Sequence, residues 1–294
     1  MRVLITGSNG QLGHCLVKKL NSKFELLAVD RDNLNIIDKK AVENLVSTFK
    51  PQIIINCAAY TAVDKAEVEK KIVYEINESG VKNLAIAAEN IDAALIQLST
   101  DYVYDGNKKG IHSESSITKP SSIYGKSKLA GEEQAQINCK KHLIIRTSWL
   151  FDEYGNNFVK TMMRIARERK TLEIVNDQFG APTYCKDLAV LIERILELIV
   201  QNRKIDWGIY NYSGSPYTNW HEFAEYIFEE AFSNKIITVK PKLIPVTSSK
   251  YQCLAKRPLN SKLDCSKAEK NFGIKPSDWK KALKNIKDFI HIEE

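Results

Sequence analysis

A doubly wound α/β fold on a parallel sheet is predicted by three features of this chain. Short apolar runs rich in β-branched residues alternate with helical patterns from Val3 to Thr147. The first run ends in a glycine-spaced turn, Gly7-Ser8-Asn9-Gly10-Gln11-Leu12-Gly13, that opens a helix. The later runs end in small or hydroxylated residues at their carboxyl ends, where open parallel sheets place their ligands. The expected organisation is a dinucleotide-binding unit over residues 1–150, with 184–210 returning to it, and a smaller C-terminal α/β unit over 151–294 that mainly binds substrate.

The totals agree with an ordinary globular protein. The 294 residues suffice for a full core, and 44% hydrophobic with 27% charged residues is an average balance. The net charge of +7 is spread out, with three lysines between Lys235 and Lys242 as the densest cluster, so no nucleic-acid partner is expected. The six cysteines show no Cys-x-x-Cys pairing and no neighbouring histidine at ligand spacing. They read as reduced thiols. No signal peptide and no membrane-crossing apolar run is seen, so a cytoplasmic location is expected.

Taken in order, Val3 to Thr6 reads as a strand and Leu12, Leu16, Val17 and Leu20 as one face of the helix that follows. Strand, Gly-rich loop and helix form an anion site, because the loop and the helix N-terminus present N–H groups to a pyrophosphate. Gly7, Gly10 and Gly13 serve the turn, the close approach and the helix–strand packing, with Gln11 and Leu12 between them. The next strand, Phe24 to Val29, ends at Asp30-Arg31. The carboxylate suits a ribose 2′-hydroxyl and the guanidinium a 2′-phosphate, so both NADH and NADPH are expected to be tolerated.

Lys39 to Phe49 is helical, Gln52 to Asn56 a strand, and Cys57 to Asp64 a small-residue loop where a flat ring can pass the backbone. Glu67 to Glu89 is helical with a break near Lys70-Lys71. The strand Ala93 to Ser99 delivers Thr100 to the sheet's ligand edge. Ser121 to Glu132 then reads as a Ser-rich turn entering a helix, with Tyr124 and Lys128 four residues apart on one face. An ammonium beside a phenol favours its ionised form, which makes proton exchange near neutral pH easier. Thr100, Tyr124 and Lys128 together form a candidate catalytic group.

In the second half, Leu143 to Thr147 is a strand leading to Trp149, whose ring offers either a wall for a sugar or core packing. Asn156 to Glu168 and Lys186 to Gln201 are helices, and Leu172 to Val175 and Gly208 to Tyr212 strands. Asp177 to Thr183 is a loop of turn formers suited to substrate. Asn219-x-x-Glu222 and Ser266-x-x-Glu269 read as capping boxes. Residues 237–260 lack periodicity, and Arg257 within them is a candidate partner for a diphosphate. His14, His112, His142, His221 and His291 are scattered, and none is assigned to catalysis.

These motifs resemble those of the extended short-chain dehydrogenase/reductase family, and within it the reductases of dTDP-4-keto-6-deoxy-L-sugars. The resemblance runs from Met1 to about Trp279. It is carried by Gly7 to Gly13, AAYTAVDKAE (58–67), STDYVY (99–104), YGKSKLAGE (124–132), RTSWLF (146–151), NDQFGAPT (176–183) and RPLNSKL (257–263). It implies a Rossmann domain and reduction of the C4 keto group of dTDP-4-dehydro-L-rhamnose by NADPH or NADH. By it Tyr124 is the proton donor, and Lys128 lowers its pKa and holds the nicotinamide ribose. Thr100 bonds the reacting oxygen. Gly10, Gln11 and Leu12 match the pyrophosphate loop, Asp30 the adenosine end, and Ala59, Tyr60 and Thr61 the stretch along the cofactor. Thr100, Asp101 and Trp149 match contacts to the nucleotide-sugar.

One departure from the family pattern is Asn35-Ile36, where relatives carry an Asp-Ile-type pair at the adenine. Some relatives use Mg2+ at a dimer contact, but the first helix here has Cys15 and no early acidic residue, so no metal is expected. A monomer or homodimer is expected. The alternatives are an epimerase or 4,6-dehydratase of the same superfamily, or a non-catalytic NADP-binding regulatory subunit. A dehydratase needs an Asp-Glu pair after the threonine, and here Tyr102 follows Asp101.

Overall fold

Apolar runs too short for helices and apolar on both faces become the buried strands of one parallel sheet. The computed structural model describes residues 1–250 and 253–290, so His291 lies outside the described residues. The chain forms β1 (Arg2–Thr6), β2 (Glu25–Val29), β3 (Ile53–Asn56), β4 (Ala94–Thr100) and β5 (His142–Thr147). They stand in the order β5-β4-β3-β1-β2, with Gly208–Asn211 added parallel beyond β5. The chain reverses its direction of winding between β1 and β3, which puts a crevice at their carboxyl ends. The expected doubly wound parallel sheet is what the chain forms.

Helices cover both faces. Leu12, Leu16 and Leu20 of the helix Gln11–Leu20 pack with Val3, Ile5, Ile53, Ile55 and Ile96 on one side. The helix Cys185–Val200 adds Leu188, Leu191, Ile192 and Ile195 to that cluster. On the other face Val42 and Val46 of Lys39–Phe49 and Leu84, Ala85 and Ala88 of Val81–Asn90 cover Leu4, Ile54 and Leu95. Asp38 caps the first of these by accepting from Ala41 N at 3.1 Å. The expected break in the Glu67–Glu89 helix is found as a short helix Val63–Ala66, a restart at Lys70–Tyr74 and a π-helical turn over Glu75–Gly80.

A third cluster is built from Phe151, Met162, Met163, Leu172, Phe223, Ile227, Trp279 and Phe289. Its helices include Phe158–Ala166 and Trp220–Ser233, capped by Asn157 and Asn219. Two expectations fail in this half. The stretch 237–260 contains a strand, Lys242–Val246, which pairs in parallel with Thr171–Val175. Its solvent-facing edge alternates lysine, proline and apolar residues, which hides the two-residue period. The box expected at Ser266 does not form: Asp264 accepts from Ser266 N at 3.0 Å and the helix Ser266–Phe272 has no side-chain cap. Asp264 stands closer to the first turn and takes its N–H. No helix among the described residues is long and apolar enough to cross a membrane.

Candidate active site

The crevice between β1 and β3 is a cleft of about 730 Å³ lined by Gly7, Gly10, Asp30, Arg31, Asn35 and Ile36 on one side and 57–62 on the other. Gly7 has φ of +69°, and a Cβ there would stand 2.5 Å from Ala58 N. A Cβ on Gly13 would collide with the Gly7 carbonyl. The two loops therefore touch through backbone; Ser8 N and Gly10 N bond to Val29 O and Gly7 O at 3.1 Å each, and the N–H groups of the helix start face the anion site. This cradle fits the pyrophosphate of a dinucleotide. Leu12 is buried in the core beneath it, and Gln11 accepts from Asn157 at 3.1 Å.

The adenosine end is more constrained than the sequence suggests. Asp30 caps its own turn, accepting from Asp32 N at 2.9 Å and Asn33 N at 3.3 Å, while its other oxygen takes a bond from Asn9. Asn35 presents its carbonyl oxygen to Ile37 N at 3.2 Å, so that acceptor is already in use. Ile36 is buried against Gly80, which leaves its backbone facing the cleft.

Along the cofactor stretch, Ala59 and Thr61 line the cleft and Tyr60 is fixed at both ends. Its hydroxyl donates to Glu69 at 2.6 Å, and its backbone is gripped by Asn77, whose Oδ1 accepts from Tyr60 N at 2.9 Å. Asn77 Nδ2 donates to Tyr60 O at 3.1 Å and to Ser127 Oγ at 3.0 Å. Buried Asn77 thus ties the cleft wall to the helix Ile123–Asn138 that carries Tyr124 and Lys128. Sequence reading missed it. One polar residue in a long helical pattern is no signal until the π-turn aims it inward.

That helix starts where Ser122 accepts from Gly125 N at 3.1 Å. Gly125 has no room for a Cβ against the Tyr102 carbonyl, so the helix start seats directly on the turn that follows Thr100. The structure thereby brings Thr100, Tyr124 and Lys128 to the carboxyl end of β4. Lys128 is buried, and its Nζ donates to Leu98 O at 2.7 Å; burial brings its pKa down to about 8, opposed by Glu132. The expected lowering of the tyrosine by the lysine is corrected here. Burial pushes the Tyr124 phenol up to about 12, a bond with Thr100 partly offsets this, and Lys128 turns to the Leu98 carbonyl instead.

Thr100 Oγ1 donates to Asp101 Oδ1 at 3.0 Å and accepts from Tyr102 N at 3.3 Å. Asp101 is buried, its second oxygen accepts from Ser261, and desolvation raises it to about 6 despite both bonds. Behind them lies a buried ion pair. Arg146 Nε and Nη2 reach the two oxygens of Glu132 at 2.9 and 2.5 Å, Ser99 donates to Glu132 at 2.5 Å, and Arg146 Nη1 donates to Tyr104 at 2.9 Å.

Trp149 has φ of +48° and stacks on Trp220, centroids 3.7 Å apart, with its other neighbour at Gly180. Core packing takes at least one of its faces. Arg257 is partly committed: its Nη2 holds Asp64 at 2.8 Å, and the same carboxylate accepts from Ala255 N at 3.0 Å, while its Nε is buried without a partner among the described residues. The whole segment 253–263 is stitched down in this way. Ser121 donates to Lys256 O at 3.2 Å, Asn260 donates to Lys108 O and Gly110 O at 2.7 Å each, and Ser261 donates to Asp101.

The family described as RmlD substrate binding domain matches residues 1–291. The dTDP-4-dehydrorhamnose reductase of Aggregatibacter actinomycetemcomitans is 47% identical over 290 residues, covering 98% of this chain and 99% of that one. Among solved structures, the dTDP-4-dehydrorhamnose reductase of Clostridium acetobutylicum is 38% identical with a TM-score of 0.91, covering 99% of this chain and 100% of that one. The enzyme of the same name from Bacillus anthracis, solved in complex with NADP, is 37% identical with a TM-score of 0.89 and covers 97% of both chains.

Proposed function

This chain belongs to the RmlD substrate binding domain family, and from that premise we propose that it is an NAD(P)H-dependent nucleotide-sugar reductase. It reduces the C4 keto group of dTDP-4-dehydro-L-rhamnose to give dTDP-L-rhamnose, the last step of dTDP-rhamnose synthesis. One observation carries the reading: Thr100, Tyr124 and Lys128 meet at the end of β4, beside a backbone cradle in which side chains at Gly7 and Gly13 would not fit.

When bound, the reduced nicotinamide dinucleotide supplies the hydride. The residues of the chain do the rest. Gly7 and Gly10 with the start of the helix Gln11–Leu20 hold the pyrophosphate, and Asp30, Arg31, Asn35 and Ile36 surround the adenosine. Ala59, Tyr60 and Thr61 line the way to the reacting end. Tyr124 keeps its proton at neutral pH and gives it to the oxygen on which charge develops at C4. Thr100 directs that oxygen, and the Lys128 ammonium supplies positive charge beneath the site. Trp149 contacts the sugar, Asp101 (buried, with both oxygens taken) acts on it only through Thr100 instead of contacting it as expected, and residues 151–294 mainly bind substrate. The Bacillus anthracis relative holds NADP, and with Arg31 at the cleft this favours NADPH while Asp30 admits NADH. The protein is read as cytoplasmic, a monomer or homodimer, without a nucleic-acid partner.

The dehydratase reading is disfavoured by Tyr102, whose phenol burial drives so high that it cannot act as a base in place of a glutamate. The test follows NADPH and NADH oxidation with dTDP-4-dehydro-L-rhamnose against other keto-sugar nucleotides. Preferential turnover of the rhamnose precursor is expected. Cofactor retained through gel filtration with no net oxidation refutes the reading in favour of an epimerase.

A further inference from the structure

Ser261 lies 160 residues beyond Asp101 in sequence, yet its hydroxyl is spent on that one buried carboxylate. The carboxylate has two oxygens and each is taken. One holds Ser261, and the other holds the hydrogen of Thr100 at 3.0 Å. With its hydrogen committed to Asp101, Thr100 Oγ1 meets the Tyr102 N–H only with a lone pair. A hydroxyl in that state cannot donate to a sugar oxygen. To donate, it must be released by Asp101, and a buried carboxylate gives up a donor readily only when it carries a proton itself.

We propose that Ser261 is a positioning residue: by holding one oxygen of Asp101 it aims the other at Thr100 and sets whether the Thr100 hydroxyl donates to the reacting oxygen. The inference rests on the reductase reading above. In the competent form Asp101 is protonated on the Thr100 side and donates to Oγ1, so Thr100 turns its hydrogen to the sugar. In the ionised form the hydrogen stays on Asp101 and the reacting oxygen loses one donor. Ser261 donates in both forms and bonds more strongly to the ionised one.

The titratable groups around this trio are consistent with Asp101 governing it. Tyr124 and Tyr102 are half-buried phenols held neutral, and Arg257 and Asp64 beside Tyr102 neutralise each other. Lys128 is turned to Leu98 O, and Glu132 is paired with Arg146. Among the described residues no free charge stands between Asp101 and Thr100.

The experiment is the pH profile of kcat/KM with dTDP-4-dehydro-L-rhamnose and NADPH for wild type, Ser261→Ala and Ser261→Thr. Activity falls toward alkaline pH as Asp101 ionises. Removing the Ser261 bond destabilises the carboxylate, so in Ser261→Ala this limb moves to higher pH by about 1 unit. Ser261→Thr restores the wild-type limb. A Ser261→Ala profile superimposable on wild type overturns the proposal, even if kcat is lower, because a merely structural serine lowers activity without moving the limb. Should Ser261→Ala not fold, Asp101→Asn decides: the limb disappears if Asp101 governs it, and its persistence overturns the proposal. Absence of wild-type turnover with this substrate, under either cofactor, overturns the reductase reading and the proposal with it. Turnover with an unmoved limb overturns the proposal alone.

Discussion

Replacing Arg146 by methionine isolates the cost of one buried charge. Arg146 and Glu132 are 2% and 0% exposed, and the guanidinium provides two of the three bonds that satisfy the carboxylate. In Arg146→Met the Glu132 carboxylate keeps only Ser99 in a place without water. Breaking such a pair from one side costs about 3–5 kcal/mol. In a chain of 294 residues that corresponds to a fall in Tm of roughly 5–8 °C. Removing both charges, as Arg146→Met with Glu132→Leu, leaves Tyr104 and Ser99 each short of a partner and takes the opposing charge away from Lys128, but leaves no unpaired carboxylate. The double variant is therefore expected within about 2 kcal/mol of wild type. Urea unfolding followed by tryptophan fluorescence measures all four corners of the cycle. Single losses that simply add in the double variant, or an Arg146→Met loss below about 1 kcal/mol, refute the reasoning.

Tyr124→Phe is expected to bind NADPH normally and lose about 100- to 10,000-fold in kcat, checked by fluorescence titration beside steady-state rates. Gly13→Ala places a methyl group against the Gly7 carbonyl; NADPH affinity is expected to fall with the fold retained, as calorimetric titration and circular dichroism will report. Asn77→Ala frees the Tyr60 backbone from the catalytic helix, and a rise of about tenfold in the KM for NADPH is expected, larger than the change in KM for sugar. Asp101 binds its proton more tightly folded than unfolded, its pKa being about 6 against 3.8. Its contribution is therefore present at low pH and is lost as pH rises through that interval, on the order of 3 kcal/mol. Asp101→Asn is expected to flatten this part of the stability curve, measured by denaturation at pH 4.5 and 7.

The parts of the site that sequence discloses are those fixed by local spacing. Gly7, Gly10 and Gly13 sit between a strand and a helix, and Tyr124 with Lys128 four residues on share a helix face wherever that helix lies. The direction of Lys128 was not legible, because a nearby carbonyl, Leu98 O, competes for the ammonium and belongs to another element. Arg257 is the same case: a basic residue in an irregular stretch reads as a ligand for phosphate, yet Asp64, 193 residues away, holds it. Asn77, Ser261 and the Arg146–Glu132 pair are long-range partnerships between ordinary polar residues. No periodicity marks them. Trp149 shows the reverse, since its aromatic character was plain and its partner Trp220 was not.

The stitching of segment 253–263 gives the order of synthesis a consequence. A ribosome makes the glycine cradle, Thr100, Tyr124 and Lys128 within the first half of the chain, before the helix Cys185–Val200 that covers one face of the sheet. Asp101 meanwhile waits for Ser261, and Asp64 for Arg257. Completion of translation acts as the assembly step for the substrate end, because a chain cut short of residue 253 lacks both the Ser261 and the Arg257 contacts.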